Sequence, residues 1–102
     1  MIETMTDKAL RLVRQYVLNH VDKTDVLPDF TVYIVWQCKT LQNWKFLIST
    51  DIPDGMYYEL TFNGDRNEWY LDAYKKFENQ CIPNEWYLDA YNKFENQCIP
   101  ND

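Results

Sequence analysis

The side chains with the greatest potential for covalent chemistry are the thiol of Cys38 and the imidazole of the single histidine, His20. A cysteine nucleophile needs a base that takes up the thiol proton, and imidazole is the usual one. Cys38 falls on the apolar side of an alternating segment, which is the usual position of a buried, unreactive thiol. The pattern therefore favours a structural role for Cys38.

Carboxylates occur in pairs, Asp51 with Asp54 and Asp65 with Glu68, as general acid–base catalysis requires. Both pairs lie in segments with strong turn signals, where acidic residues are favoured because they bond to nearby backbone amides. The chain contains no phosphate-binding loop, dinucleotide motif or serine-hydrolase elbow. We therefore expect no enzymatic activity.

Metal ligands are similarly sparse. His20, Asp22 and Asp25 are close in sequence, but their spacing matches no ligand motif and lacks the glycine of a calcium loop. The cysteines are odd in number and form no CxxC pair: Cys38, Cys81 and Cys98. We expect no metal and no cofactor.

A stacking platform for single-stranded nucleic acid is a further possibility, built from Tyr33 and Tyr57 with Lys39 or Lys45 beside them. The net charge of −6 opposes it, and double-stranded DNA is disfavoured more strongly. The charge is +1 over residues 1–50 and −7 over residues 51–102, so the second half favours a basic partner. We also expect the two tyrosines to pack under a helix.

The first element that positions these side chains is an amphipathic helix over Thr4–Val21, capped by Thr6 or Thr4. Its apolar residues recur at intervals of three and four: Ala9, Leu10, Val13, Tyr16, Val17 and Val21. The polar segment Asp22–Asp29 contains Pro28 and is predicted to be the loop that follows.

Four strands are predicted next, as an antiparallel meander. Phe30–Cys38 alternates and directs one set of side chains to a single face: Phe30, Val32, Ile34, Trp36 and Cys38. Trp44–Thr50 and Met56–Phe62 follow the same pattern. Asn63-Gly64 predicts a type I′ hairpin turn. The fourth strand should then begin at Asp65 and end near Leu71.

The C-terminal part is a tandem repeat. Asn67–Pro83, which we call block one, and Asn84–Pro100, block two, differ only at Lys75 against Asn92. Block one carries apolar residues at helical spacing: Tyr70, Ala73, Tyr74, Phe77 and Cys81. Asp72 is a good helix cap, so we predict a helix over Ala73–Gln80.

The same residues are expected to adopt different secondary structures in the two blocks. Trp69–Leu71 is predicted as strand because a hairpin precedes it, and Trp86–Leu88 as helix because Asn84 is a good cap. The aromatic stripe of block two is a candidate interaction surface: Trp86, Tyr87, Tyr91 and Phe94. Block two packs beside block one, displaces it, or docks on a neighbouring molecule. The last arrangement, a swapped or isologous homodimer, is the one we favour.

Together these patterns predict an α+β fold. It has an N-terminal helix, a four-stranded antiparallel meander, a C-terminal helix and a second helix from the duplicated segment. Residues 1–83 are expected to form one domain, with residues 84–102 as the duplicated segment.

Several motifs resemble an uncharacterised family of small proteins encoded by phages, prophages and conjugative elements of low-GC Gram-positive bacteria. The motifs are WQCKTLQN at Trp36–Asn43, DGMYYE at Asp54–Glu59, NGD at Asn63–Asp65 and DAYKKFEN at Asp72–Asn79. The resemblance covers Thr4 to about Ile82. Family members end after one block, so Asn84–Asp102 departs from their pattern. The resemblance implies a mobile-element origin and a cytoplasmic setting in a bacterial host cell, and no assigned activity.

The sequence thus points to a non-enzymatic accessory or modulator protein that binds a protein partner. The alternative from another class is a single-stranded nucleic acid binder that uses aromatic residues on the sheet. Met1–Leu10 has no apolar core of a signal peptide, and no apolar run is long enough to span a bilayer. We expect a cytoplasmic protein without a membrane segment.

Overall fold

In the part of the chain that the structure describes, one helix packs on one face of a five-stranded antiparallel sheet whose strands follow chain order, β1-β2-β3-β4-β5. The computed structural model describes residues 2–20, 29–82 and 86–101, with the backbone alone at residues 86–90, 92 and 94. The elements are α1 Met5–His20, β1 Val32–Thr40, β2 Asn43–Thr50, β3 Met56–Asn63, β4 Glu68–Ile82 and β5 Trp86–Pro100.

Helix α1 begins where the sequence supplies a cap. The Thr4 hydroxyl accepts a hydrogen bond from the Asp7 amide at 3.0 Å, and the Asp7 carboxylate accepts one from the Thr4 amide at 3.4 Å. This reciprocal arrangement satisfies amides that have no partner inside the helix. The predicted helix is present, and Thr4 rather than Thr6 is its cap. Val21 and most of the Asp22–Asp29 loop lie outside the described residues.

The two predicted C-terminal helices and the predicted four-stranded sheet are wrong, because both blocks are strands and the sheet has five among the described residues. Ala73–Gln80 lies within β4, and Trp86–Leu88 begins β5. The tyrosines, phenylalanine and tryptophan of each block are good strand formers, and the spacing of four between Tyr70 and Tyr74 fits both periods. The pairing decides between them, because each block supplies the hydrogen-bonding edge that the other one needs. Sequence periodicity within one block carries no information about that partner.

The core lies between α1 and the middle strands. Its largest fully buried side chains come from the helix and from β2, β3 and β4: Val13, Phe46, Ile48, Leu60, Trp69 and Leu71. The Trp69 ring lies 5.1 Å from the ring centre of Phe62 and 5.9 Å from that of Phe46. Trp69, Leu71 and Ala73 are buried at every second position of β4, which is the strand period.

A β-bulge in β1 changes which of its side chains face the helix. The register slips between Ile34 and Trp36, so Trp36 pairs with Leu47. Val32 and Ile34 pack against the core, whereas Trp36 is 52% exposed and Cys38 is exposed. The prediction that Cys38 is buried on the apolar face is therefore wrong, because strict alternation ends at the bulge.

The turn between β3 and β4 is not the predicted two-residue type I′ turn. Four residues, Gly64–Asn67, connect the strands, and the positive φ of 54° belongs to Asn67. The Asn63 side chain accepts hydrogen bonds from the amides of Asp65 at 3.0 Å and Arg66 at 3.3 Å. The fourth strand consequently begins at Glu68 rather than Asp65.

Glu95 connects β5 to the helix. Its carboxylate accepts a hydrogen bond from the Tyr16 hydroxyl and lies 3.6 Å from Nε2 of His20. The His20 ring stacks on Tyr16 at 4.0 Å. The bond from Tyr16 is the main cause that lowers the pKa of Glu95, and burial is the main cause that raises the pKa of Tyr16.

Replacement of Glu95 by glutamine is expected to reduce stability at neutral pH by about 1 kcal/mol, because one charge-assisted hydrogen bond is weakened. A lowered carboxyl pKa stabilises the fold above the ordinary value of 4.5, and this contribution is lost as the pH falls through the lowered pKa. Glu95→Gln should therefore also lose less stability than the parent chain on acidification below that value. Thermal unfolding across this acidic range measures both effects.

The repeat provides the matched control. Glu78 is the block-one counterpart of Glu95; it is exposed and accepts a hydrogen bond from Gln80, as Glu95 does from Gln97. Glu78→Gln should leave the unfolding midpoint and its acid dependence close to those of the parent. Equal effects of the two substitutions would contradict the assigned role of the Tyr16 contact.

Candidate binding face

The face of the sheet opposite α1 carries a groove lined by one side chain from each strand: Val35, Leu47, Tyr57, Tyr74 and Tyr91. Its volume is about 380 Å³, near the lower end of the range of about 300–1,000 Å³ that is typical of ligand pockets. We call this side of the sheet the open face. Leu47, Tyr57 and Tyr74 are only half-buried, so apolar and aromatic surface is accessible here.

The three tyrosines lie next to one another across strands β3 to β5. Tyr57 pairs with Tyr74 in the sheet, and the rings of Tyr57 and Tyr91 meet edge to face at 5.2 Å. Lys93 Nζ lies 5.5 Å from the centre of the Tyr74 ring, and Lys76 Nζ lies 5.9 Å from that of Tyr91. The groove is therefore aromatic at one end, with ammonium groups above two of its rings.

The charged groups beside the groove are largely compensated. Buried Asp72 accepts a hydrogen bond from Asn96 and lies 3.5 Å from Lys93 Nζ. The contact with Tyr74, together with the charge of Asp72, raises the pKa of Lys93. Lys45 and Glu59 form another pair at 3.8 Å. Asp72 is thus part of the sheet surface, and its predicted role as a helix cap is wrong.

Of the four predicted surface residues on block two, Tyr91 lies in the groove. Trp86 and Tyr87 lie on β5 opposite Ile82 and Cys81, and Phe94 lies between the paired residues Lys93 and Glu95. Their side chains are outside the described part of the chain. The structure therefore places Tyr91 at the site and leaves the other three as a prediction.

The predicted stacking platform is assembled only in part. Tyr57 lines the groove, and Tyr33 and Lys45 lie on the same open face, so the expectation that the tyrosines pack under a helix is wrong. Lys39 lies 5.6 Å above the Trp44 ring and pairs with Trp44 in register, on the other face.

The sequence reasoning missed Val35, Leu47 and Tyr74. Leu47 and Tyr74 lie at alternate strand positions, and this alternation is the signal that pointed to them once both segments were treated as strands.

The candidate catalytic groups do not come together. His20 stacks on the helix, whereas Cys38 lies on the open face in a second hollow beside Trp36 and Lys45. The Cys98 thiol donates to Glu68 at 3.1 Å, and this contact raises the pKa of Cys98. A raised thiol pKa disfavours the nucleophilic thiolate.

Three of the four paired acids accept structural hydrogen bonds, and only that of Asp54 is local to its turn. Asp51 accepts a hydrogen bond from the Thr31 amide at 2.9 Å, and Asp54 accepts one from the Met56 amide at 3.1 Å. Asp65 accepts a hydrogen bond from Gln42. Among residues 2–20, 29–82 and 86–101, no cluster of three or more histidine, cysteine or acidic residues has the arrangement of a metal site. Asp22 and Asp25 lie outside those ranges.

Most of the chain before block two matches a known family. The sequence profile of a family of unknown function, DUF6275, matches residues 6–84. The chain belongs to this family. The DUF6275 match contains α1 from its second residue, the four strands β1 to β4 and block one, and it ends at the first residue of block two. No curated protein and no solved structure matches the chain.

Groove residues from the first four strands lie within the DUF6275 match, and Tyr91 lies beyond it. The duplicated block therefore adds the fifth wall of the groove. No helix in the described ranges of this DUF6275 chain is long and apolar enough to cross a membrane.

Proposed function

We propose that this chain is a non-enzymatic binding protein whose open face takes an apolar segment of a protein partner. The observation that carries the proposal is the groove to which every strand contributes an apolar or aromatic side chain. Helix α1 packs on the opposite face, so the groove lies on the side of the sheet that the helix leaves uncovered. Tyrosine at the centre of such a surface is typical of binding sites.

The chemistry of the surroundings favours a partner segment with large apolar residues and basic flanks. The groove walls are apolar, which suits aliphatic or aromatic anchors. The half of the chain that forms β3, β4 and β5 carries a net charge of −7. Long-range attraction therefore favours a basic partner and accelerates its association.

A peptide-display selection against the full chain tests this proposal. We expect the enriched peptides to share large apolar residues next to lysine or arginine. Tyr74→Ala should weaken their binding by roughly 30-fold, since removal of a central aromatic contact costs about 2 kcal/mol. Tyr70→Ala is the matched control, because Tyr70 lies on the same strand and the same face but outside the groove. Equal losses for both variants, or no enrichment, would contradict the proposal.

A second candidate function, binding of single-stranded nucleic acid, is favoured by the three adjacent tyrosine rings with Lys76 and Lys93 over two of them. The net charge of −6 opposes it. Titration of a fluorescent oligothymidylate at low salt distinguishes the candidates. Nucleic acid binding predicts an affinity that falls steeply with added salt and is lost in Tyr74→Ala. Protein binding predicts no measurable affinity at the lowest salt concentration.

We also propose a mobile-element origin and a cytoplasmic setting in a bacterial host. The support is the resemblance of the WQCKTLQN, DGMYYE and DAYKKFEN motifs to proteins of phages and conjugative elements. Genes for phage or conjugation proteins beside the coding sequence would support the origin, and cell fractionation tests the compartment. A chromosomal housekeeping neighbourhood in several hosts would count against the origin.

A further inference from the structure

Strand β4 pairs with β5 over a longer stretch than it pairs with β3. Strand β3 pairs with β4 only from Glu68 to Lys75, whereas β5 pairs with it as far as Ile82. Residues 76–82 therefore form their strand ladder with β5. The edge of β4 that faces β5 is a strand-binding edge, because its amides and carbonyls are satisfied by an added strand, which here is β5.

The pairing of block one with block two is symmetric, as it would be between two copies of one strand. Two identical strands in antiparallel register are related by a two-fold axis, and here the axis passes through the pair Lys75 and Asn92. Trp69 opposite Ile99 is repeated as Ile82 opposite Trp86, and Tyr70 opposite Cys98 as Cys81 opposite Tyr87. The axis lies near the middle of the block, so nearly its whole length is used in pairing.

The irregularities of the ladder follow the same symmetry. The register skips Phe77 in β4, between Lys76 and Glu78, and it skips Phe94 in β5, between Lys93 and Glu95. Phe77 and Phe94 are the same position in the two blocks. The local bend of a bulge is thus compatible with the symmetric pairing on both strands.

Side chains repeat the symmetry as well. Lys93 lies over Tyr74 at 5.5 Å, and Lys76 lies over Tyr91 at 5.9 Å. These are one contact made twice, since Lys93 is the counterpart of Lys76 and Tyr91 that of Tyr74. A strand that carries both halves of a favourable cross-strand pair at symmetric positions complements itself.

We propose that the β4 edge binds block two of a second copy of this chain. Block two occupies that edge within one chain, and in a dimer the β5 strands of two chains exchange places. The register is the same in both arrangements, so each lost pairing is regained in trans. This proposal is independent of the binding function of the open face.

Mixed-disulfide formation in the full-length chain tests the exchange. In a background with Cys38, Cys81 and Cys98 changed to serine, one protein carries Lys75→Cys and the other Asn92→Cys. The two are unfolded together, refolded at high protein concentration and oxidised. We expect a covalent heterodimer, because exchange places position 75 of one chain opposite position 92 of the other, within about 4.5–5.5 Å between Cα atoms.

Two controls test the register and measure the background of disulfide formation. The double variant Lys75→Cys/Asn92→Cys should form a disulfide within the monomer at low concentration, and its failure to do so would overturn the register itself. Lys75→Cys mixed with Lys39→Cys sets the background, since Lys39 lies on β1 at the other edge of the sheet. A heterodimer yield no higher than this background, with circular dichroism showing folded proteins, would overturn the proposal.

Discussion

Replacement of Trp69 by alanine is expected to destabilise the fold by about 3–5 kcal/mol, the usual cost of truncating a buried large aromatic residue. The Trp69 ring is fully buried and packs between Phe46 and Phe62. Its removal leaves a cavity where β2, β3 and β4 meet. Because small domains have a total stability of only about 5–15 kcal/mol, Trp69→Ala should lose a large share of it. Denaturant titration followed by circular dichroism measures the change.

Two further substitutions separate burial from residue type. Trp36→Ala removes a tryptophan that is 52% exposed, so its expected cost is below about 1 kcal/mol. Trp69→Phe should cost less than Trp69→Ala, because the Trp69 indole N–H is buried without a hydrogen-bond partner among the described residues. Phenylalanine keeps most of the ring contacts and removes that unpaired donor. Similar costs for Trp36→Ala and Trp69→Ala would contradict the assigned core.

Replacement of Gly64 by alanine is expected to cost about 3 kcal/mol, at the upper end of the range for overpacking. An added Cβ at Gly64 would collide with the carbonyl oxygen of Gln42 and lie 2.7 Å from its Cβ. The backbone there has little room to move, since the Gly64 amide donates to the Asn43 side chain at 2.9 Å. Thermal unfolding of Gly64→Ala measures the cost.

Gly55→Ala is the matched comparison. Gly55 has a φ of +71°, but the nearest atoms to an added Cβ are 3.9 Å away, on Lys76. The left-handed conformation alone should cost about 1–2 kcal/mol. A larger loss for Gly55→Ala than for Gly64→Ala would contradict the close contact between Gly64 and Gln42.

The parts of the fold that sequence reasoning predicted are those determined by local signals. The apolar stripe of α1 and the alternation in β2 and β3 are local, and the turn at Pro53–Gly55 is local as well. The secondary structure of block one is not determined by local signals. Tyr70 and Tyr74 are four residues apart and share a face in a helix or in a strand, and only the presence of an equally long complementary strand favours the strand.

The candidate site followed from the same distinction. Tyr57 was considered for an aromatic platform but was expected to pack under a helix, and it lines the groove on the open face instead. Tyr74 was assigned to a helix, and its place beside Tyr57 depends on the β3–β4 register. The bulge in β1, which turns Trp36 and Cys38 towards the open face, has no clear signature in FTVYIVWQC.

The tandem repeat also gives β3 two possible partners during folding, because the two blocks have nearly the same sequence and either could pair with it. Loop length favours the first block: the connection from β3 is four residues for block one and seventeen longer for block two. Loop-closure entropy makes the shorter connection favourable by about 1.5 kcal/mol. Synthesis adds a second bias, since block one leaves the ribosome before block two exists and domains begin to fold during translation. Synthesis from the N-terminus and the short turn therefore both favour block one over block two as the partner of β3.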